Sequence, residues 1–239
     1  MSLSVAERLA AVRSRMRAAC LAAGRDPASV GLIAVSKRQP AEAIRAAVAA
    51  GQCAFGESYV QEAIDKQSGL ADLAVEWHFI GRLQANKTRA IAERFDWVHG
   101  LADPAHARRL SAQRPAGRAP LRVCLQVNVD GELSKGGVAP QAVPALLDAC
   151  AGLAGIRVVG LMALPAPRAD RDSQRLPFRT LRQLRDRLAT PERPLECLSM
   201  GMSDDLEAAI LEGATLVRIG TAVFGARPYN AAPVADGPP

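Results

Sequence analysis

Short apolar runs recur along the chain, each closed by a glycine, proline or polar breaker, and stretches of helical spacing separate them. Near the start, Val5, Leu9, Val12 and Met16 fall on one helical face behind Ser4-Val5-Ala6-Glu7, which has the form of a capping box. Leu32-Ile33-Ala34-Val35 is too short for a helix and ends in Ser36-Lys37-Arg38, with Pro40 just beyond, so it predicts a buried strand. Further strands are expected at residues 53–56, 77–80, 97–99, 121–129, 157–162, 195–199 and 215–219. Helices are expected between them at 41–50, 59–66, 86–94 and 140–151, with one more behind Asp103-Pro104. An arginine-faced helix follows the loop at 165–172, and a last one spans 204–212, opening on Asp204-Asp205-Leu206-Glu207 as a second capping box. Strand alternating with helix in this number predicts an α/β protein, a (β/α)8 TIM barrel forming a single domain over residues 1–230. A doubly wound sheet is the competing arrangement, but no Gly-x-Gly-x-x-Gly turn follows any strand. The Ala/Pro/Gly-rich tail, 231–239, is expected to be disordered.

Composition narrows the class. At 239 residues, 49% hydrophobic and 23% charged, the chain can bury a sizeable core. No apolar run approaches the roughly 18–20 residues of a membrane span, and the first helix lacks the apolar centre and cleavage site of a signal peptide. The five cysteines are scattered and never form a Cys-x-x-Cys pair. Reduced thiols in a cytoplasm, with no zinc site, are the expectation. A net charge of +6 permits a polyanionic partner. The densest basic region, 168–193, places Arg175, Arg179 and Arg182 opposite Phe178, Leu181, Leu184 and Leu188, which reads as a solvated helix face. No aromatic platform accompanies that charge, so neither a nucleic acid nor a membrane is expected as a partner.

Candidate chemistry gathers at the strand ends, where barrels build their active face. Of the 30 lysines and arginines, only Lys37, Lys66, Lys87 and Lys135 are lysines. A chain that writes its positive charge with arginine has reason to keep a primary amine at Lys37, because arginine cannot form a Schiff base. Other strand ends carry Ser58, Asn128, Met162, the segment Ser199-Met200-Gly201-Met202-Ser203, and Arg218-Ile219-Gly220-Thr221. The last two end in small and hydroxylated residues, as a phosphate requires for close approach to backbone N–H groups. With carboxylates at the N-terminus of the helix after strand seven, Ser199 and Gly201 are the expected anion contacts, and Gly220 and Thr221 the second wall. Leu216, Arg218 and Gly220 share one strand face, and an inward arginine is costly unless a site uses it. An amine, a phosphate cradle and an arginine on one rim suggest a phosphorylated aldehyde, and pyridoxal 5'-phosphate (PLP) fits. Arg218 would face the pyridine nitrogen and keep it unprotonated. Burial and the adjacent Arg38 are both expected to lower the pKa of Lys37. His78, mid-strand between Trp77 and Phe79, is a remaining acid/base candidate but reads as structural or as support behind a site residue.

Several blocks together resemble the pyridoxal phosphate homeostasis proteins. They are Leu32 to Lys37 with Pro40, Phe55-Gly56-Glu57-Ser58-Tyr59-Val60-Gln61-Glu62, Trp77-His78-Phe79-Ile80-Gly81 with Leu83-Gln84-Ala85-Asn86-Lys87, and Ser134-Lys135-Gly136-Gly137. Gly160-Leu161-Met162-Ala163 and the stretches 198–205 and 217–226 extend the likeness over nearly the whole chain. That family is similar to the barrel domain of alanine racemase standing alone. The resemblance implies a cofactor set of Lys37 as Schiff-base lysine (a covalent aldimine), Ser199, Gly201, Gly220 and Thr221 at the phosphate, Arg218 at the ring nitrogen and Lys135 as a second basic residue. Ser58, Asn128 and Met162 complete the expected set. The family pattern usually has Asn where this chain has Ser58, and often a second lysine where it has Gln39. The departures put one polar contact and any relay through a second amine in question.

The resemblance implies a carrier and buffer of PLP without established turnover, with PLP-dependent apo-enzymes as candidate recipients. A racemase of this barrel type needs a second acid/base opposite the lysine, usually a tyrosine from an added domain, and the tyrosines here are Tyr59 and Tyr229. A weak amino-acid racemase and a cofactor-free Schiff-base aldolase are the alternatives. A monomer is expected, since no partner-supplied tyrosine is required.

Overall fold

The computed structural model describes residues 3–132 and 136–226. Eight parallel strands close into a barrel in sequence order, each paired with its neighbour and the last with the first. They are β1 (Gly31–Val35), β2 (Ala54–Glu57), β3 (Glu76–Phe79), β4 (Trp97–Leu101), β5 (Leu121–Gln126), β6 (Ile156–Met162), β7 (Cys197–Ser199) and β8 (Leu216–Ile219). The outer ring comprises α1 (Val5–Ala22), α2 (Ala41–Ala49), α3 (Val60–Gly69), α4 (Thr88–Arg94), α5 (Pro104–Gln113), α6 (Val143–Cys150), α7 (Arg171–Leu188), α8 (Leu206–Leu211) and α9 (Thr221–Phe224). The TIM barrel expected from the alternation of strand and helix is therefore the fold, and the described residues form one barrel. The expected tail at 231–239 lies outside the described residues.

Local chemistry explains most of the boundaries. The Ser4 hydroxyl accepts from the Glu7 amide while Glu7 accepts from the Ser4 amide, so the capping box at the start of α1 is complete. Leu9, Val12 and Met16 are buried along its inner face. α1 packs against α8, α9 and α2, filling the gap between the last strand's helix and the first. Asp103 caps α5 with Pro104 in its first turn, as its sequence signals. The expected helices at 86–94 and 140–151 each open with a separate 3-10 turn, Ala85–Lys87 and Pro140–Ala142.

Two expectations are corrected. Asp204 to Glu207 is not a capping box: α8 begins at Leu206, and the carboxylate of Asp205 accepts from the Met202 amide within the preceding loop. Glu207 instead turns to Arg15 of α1, 2.8 Å away. The arginine face of α7 is not simply solvated. Arg175, Arg179 and Arg182 converge on the buried carboxylate of Glu212 and lash α7 to the end of α8.

The barrel encloses an unusual layer. Trp97, Cys124, Val159, Met162, Cys197 and Leu216 pack inside it, with the buried side chains of His78, His99, Ser199 and Arg218 among them. Alternation along β3 and β4 brings Glu76 and His78, then Trp97 and His99, to the inner face. The His78 ring stacks on Trp97 with centroids 5.3 Å apart. The thiols of Cys124 and Cys197 meet at 3.6 Å, and all five cysteines are free. No helix among the described residues is long and apolar enough to cross a membrane.

Candidate cofactor-binding site

β1 delivers Lys37. Ile33, Val35 and Lys37 alternate onto the inner face, and the chain then turns sharply at Arg38, which is left-handed at φ 59°. That turn is tied down twice: the Arg38 amide donates to Glu62 at 2.5 Å, and Lys66 donates to the Ser36 carbonyl at 2.7 Å. The Arg38 guanidinium lies over the Tyr59 ring, 5.5 Å from its centroid, and donates to the Tyr59 hydroxyl. Arg38 is thus engaged by an aromatic ring, a role its place beside Lys37 in sequence did not suggest.

Lys37 opens onto a cavity of about 500 Å³ at the C-terminal mouth of the barrel. Arg218, Gly220 and Thr221 from the end of β8 line the same cavity, with Ser203 and Asp204 from the loop after β7. Val35, Ile80, Leu164 and Met202 supply its apolar wall, and Arg15 reaches in from α1. Arg15 is held there by Glu207 and by the Ser203 carbonyl at 2.9 Å.

Arg218 is 4% exposed, and its partners are neutral. Nη1 donates to the Ser199 hydroxyl at 2.6 Å and Nη2 to the Ala163 carbonyl at 2.9 Å. Burial pulls its pKa down to about 10, with Asp205 acting against that shift, so the guanidinium stays charged at neutral pH. A buried cation with neutral hydrogen-bond partners favours an anionic or electron-rich ligand beside it.

Not all expected residues share this cavity. Lys37, Arg218, Gly220 and Thr221 line it; Ser58, Asn128, Met162, Ser199 and Gly201 do not. Register places Ser199 beside Leu216 on β8, one inward position before Arg218. The Ser199 hydroxyl is committed to Arg218 and to Nδ1 of His99 at 2.8 Å. Gly201, at φ +97°, accepts from the Arg218 amide, and a Cβ there would meet Ala209 at 2.6 Å. Ser58 sits at the end of β2 with its backbone packed directly on Gly81, where a Cβ has no room. Asn128 donates from its side chain to the Glu132 carbonyl at 2.8 Å. Met162 packs in the interior layer against the two facing thiols. Lys135 lies outside the described residues.

Two lining residues carry signals the sequence only half discloses. Ser203 belongs to the hydroxyl-rich segment after β7, but which of its residues reaches the rim depends on where the strand stops. Arg15 sits on the polar face of a helix that precedes the barrel, and nothing in its spacing points to a site. Among the described residues no group of three or more His, Cys, Asp or Glu is arranged to hold a metal ion.

The alanine racemase N-terminal domain family model matches residues 8–228. The chain is 59% identical over 228 residues to the pyridoxal phosphate homeostasis protein of Pseudomonas aeruginosa, covering 95% of this chain and 98% of that one. It is also similar to PipY of Synechococcus elongatus PCC7942 solved without PLP (42% identity, TM-score 0.83) and with PLP bound (41%, 0.79). Each match covers 93% of this chain and all of PipY. The chain belongs to the pyridoxal phosphate homeostasis protein family, built on the alanine racemase N-terminal barrel.

Proposed function

We propose that this protein binds pyridoxal 5'-phosphate in the rim cavity, with Lys37 as its Schiff-base amine, and carries and buffers the cofactor without turning over a substrate. The observation that carries this reading is the meeting of Lys37, Arg218 and Thr221 on one cavity of about 500 Å³. The donor set fits the group: a primary amine for the aldehyde, a buried guanidinium for the ring, and hydroxyls with a glycine edge for the phosphate. When bound, the cofactor supplies a reactive aldehyde and an electron-withdrawing ring. Arg218, charged at neutral pH, faces the pyridine nitrogen and disfavours its protonation. With the Ser199 hydroxyl turned inward, Thr221, Gly220 and Ser203 are the better phosphate contacts, and Arg15 adds positive charge nearby. Ser58, Asn128 and Met162 stay proposed contacts of the bound cofactor, and Ser199 and Gly201 hold Arg218.

The relatives support the same reading: one is named a pyridoxal phosphate homeostasis protein, and PipY has been solved with PLP bound. Carriage is favoured over racemisation because the Tyr59 ring lies under Arg38. Gln39, at 9% exposure, offers no second amine at that turn. PLP-dependent apo-enzymes in the cytoplasm are the proposed recipients, and a monomer the proposed form.

Freshly purified protein should be yellow, and borohydride should bleach it and leave the added mass on Lys37. Lys37→Ala should be colourless; a fully coloured variant would refute the assignment. Loaded protein given L- and D-alanine in deuterated buffer should exchange no α-hydrogen at catalytic rates. Such exchange would replace the carrier with an enzyme.

A further inference from the structure

Below the cavity, four side chains stand in line across the barrel interior and end at Arg218. Glu76 Oε2 lies 3.2 Å from Nε2 of His78, and Nδ1 of His78 lies 2.9 Å from Nε2 of His99. Nδ1 of His99 lies 2.8 Å from the Ser199 hydroxyl, to which Arg218 donates. Both imidazoles are buried, at 1% and 0% exposure, and neither lines the cavity.

The line has one direction. Glu76 accepts at its other oxygen from Trp97 and Arg122, and these contacts with that to His78 hold its carboxyl at about 2, so it is an acceptor throughout the neutral range. Nε2 of His78 must then carry the hydrogen, which leaves its Nδ1 bare to accept from Nε2–H of His99. Nδ1 of His99 is bare in turn and accepts the hydroxyl hydrogen of Ser199. Every nitrogen has one role and both rings are neutral. Burial disfavours charging His99, and His78 and Arg218 add to that. The Ser199 oxygen is left with its lone pairs toward Arg218.

We infer that His78 and His99 form a positioning relay which fixes the direction of the Ser199 hydroxyl and thereby aims the Arg218 guanidinium at the cavity. The consequence for the cofactor rests on the reading of that cavity as the PLP site. Arginine has many rotamers, and the serine hydroxyl, which must turn its hydrogen away from a donor-only guanidinium, still has a choice of directions unless a fixed acceptor takes that hydrogen. A relay ended by a carboxylate removes that freedom without placing a second charge beside Arg218.

Nitrogen-15 NMR of the imidazoles in the full-length, cofactor-free protein tests the polarity. Both rings should be neutral Nε2–H tautomers at neutral pH; an Nδ1–H tautomer or an imidazolium at either would overturn the relay. The consequence is tested with His99→Phe, which removes the acceptor, and His99→Asn, which keeps an oxygen near the place of Nδ1. His99→Phe should weaken PLP binding by roughly ten- to a hundredfold and shift the absorbance of bound PLP, while His99→Asn should stay within about threefold of wild type. Wild-type affinity and spectrum in a folded His99→Phe would overturn the inference. So would a folded His99→Asn that binds a hundredfold more weakly, which also decides the matter should His99→Phe not fold. Wild-type protein that takes up no PLP would refute the reading of the cavity instead, and the relay would stand or fall on the nitrogen shifts.

Discussion

Lys66 and Arg218 are both cations taken almost wholly out of water, at 8% and 4% exposure, yet their surroundings differ in kind. Lys66 donates to Glu57 at 2.7 Å, Glu62 at 2.5 Å and the Ser36 carbonyl at 2.7 Å, which occupies all three of its hydrogens. Arg218 donates to a hydroxyl and a carbonyl, and among the described residues it forms no ion pair with a carboxylate. A lysine closed by its own anions is scaffold: it ties the residue before Lys37 to α3. An arginine held only by neutral acceptors, on the wall of a cavity, keeps its charge for something that enters. Burial alone does not mark a site; burial with the compensation left incomplete does.

The largest expected effect comes from opening the closed cluster. Lys66→Met leaves Glu57 buried beside Glu62 and should destabilise the fold by about 3–5 kcal/mol in urea denaturation. Glu57→Gln in the same background should recover part of that loss, since burial already pushes the Glu57 carboxyl up toward its neutral form. The converse holds at the rim. Arg218→Gln retains a donor toward Ser199 or Ala163 but no charge, so stability should change by about 1 kcal/mol. PLP affinity should fall by roughly a hundredfold, read by titration of the visible absorbance. If Lys66→Met instead spared stability and Arg218→Gln spared affinity, the two cations would not differ as described.

How far this contrast was legible in the sequence depends on the residue. Scarcity of lysine drew attention to Lys37, but Lys66 is equally scarce, and only the barrel shows that one amine is buried among carboxylates while the other lines the cavity. The fold was readable because strands and helices carry distinct periods, and β8 was readable because Arg218 and Gly220 share a face by alternation. The commitment of the Ser199 hydroxyl to Arg218 and His99 was not readable, because strand register is a property of pairs of strands and is not written in either one. His78 was recognised as structural, yet its partner His99 went unremarked. The signal was there, in Glu76-x-His78 and Trp97-x-His99 on successive strands, but their meeting needed the barrel to close.

Glu76 anchors the interior from its lower end and offers a test by acid. Its hydrogen bond with His78 is the largest influence that holds it near 2, below its ordinary value of 4.5. A carboxyl whose folded pKa lies below its unfolded one contributes stability that is whole above pH 4.5 and is lost as pH falls toward 2. Wild-type protein should therefore lose melting temperature across that window more steeply than Glu76→Gln, by scanning calorimetry. Equal slopes would mean that the relay has no ionic anchor and could run in either direction.

Glu212 inverts the case of Lys66: one buried carboxylate shared by Arg175, Arg179 and Arg182, each partly exposed. Because two cations remain after any single deletion, Arg175→Ala, Arg179→Ala or Arg182→Ala should each cost only about 0.5 kcal/mol in urea denaturation. The deletions should not add. Removing the third arginine strands the carboxylate with no cation, so that step should cost more than the first two together. Three small, equal and additive losses would show that water, not the arginines, stabilises Glu212, and that the contrast between closed and open charges holds only inside the barrel mouth.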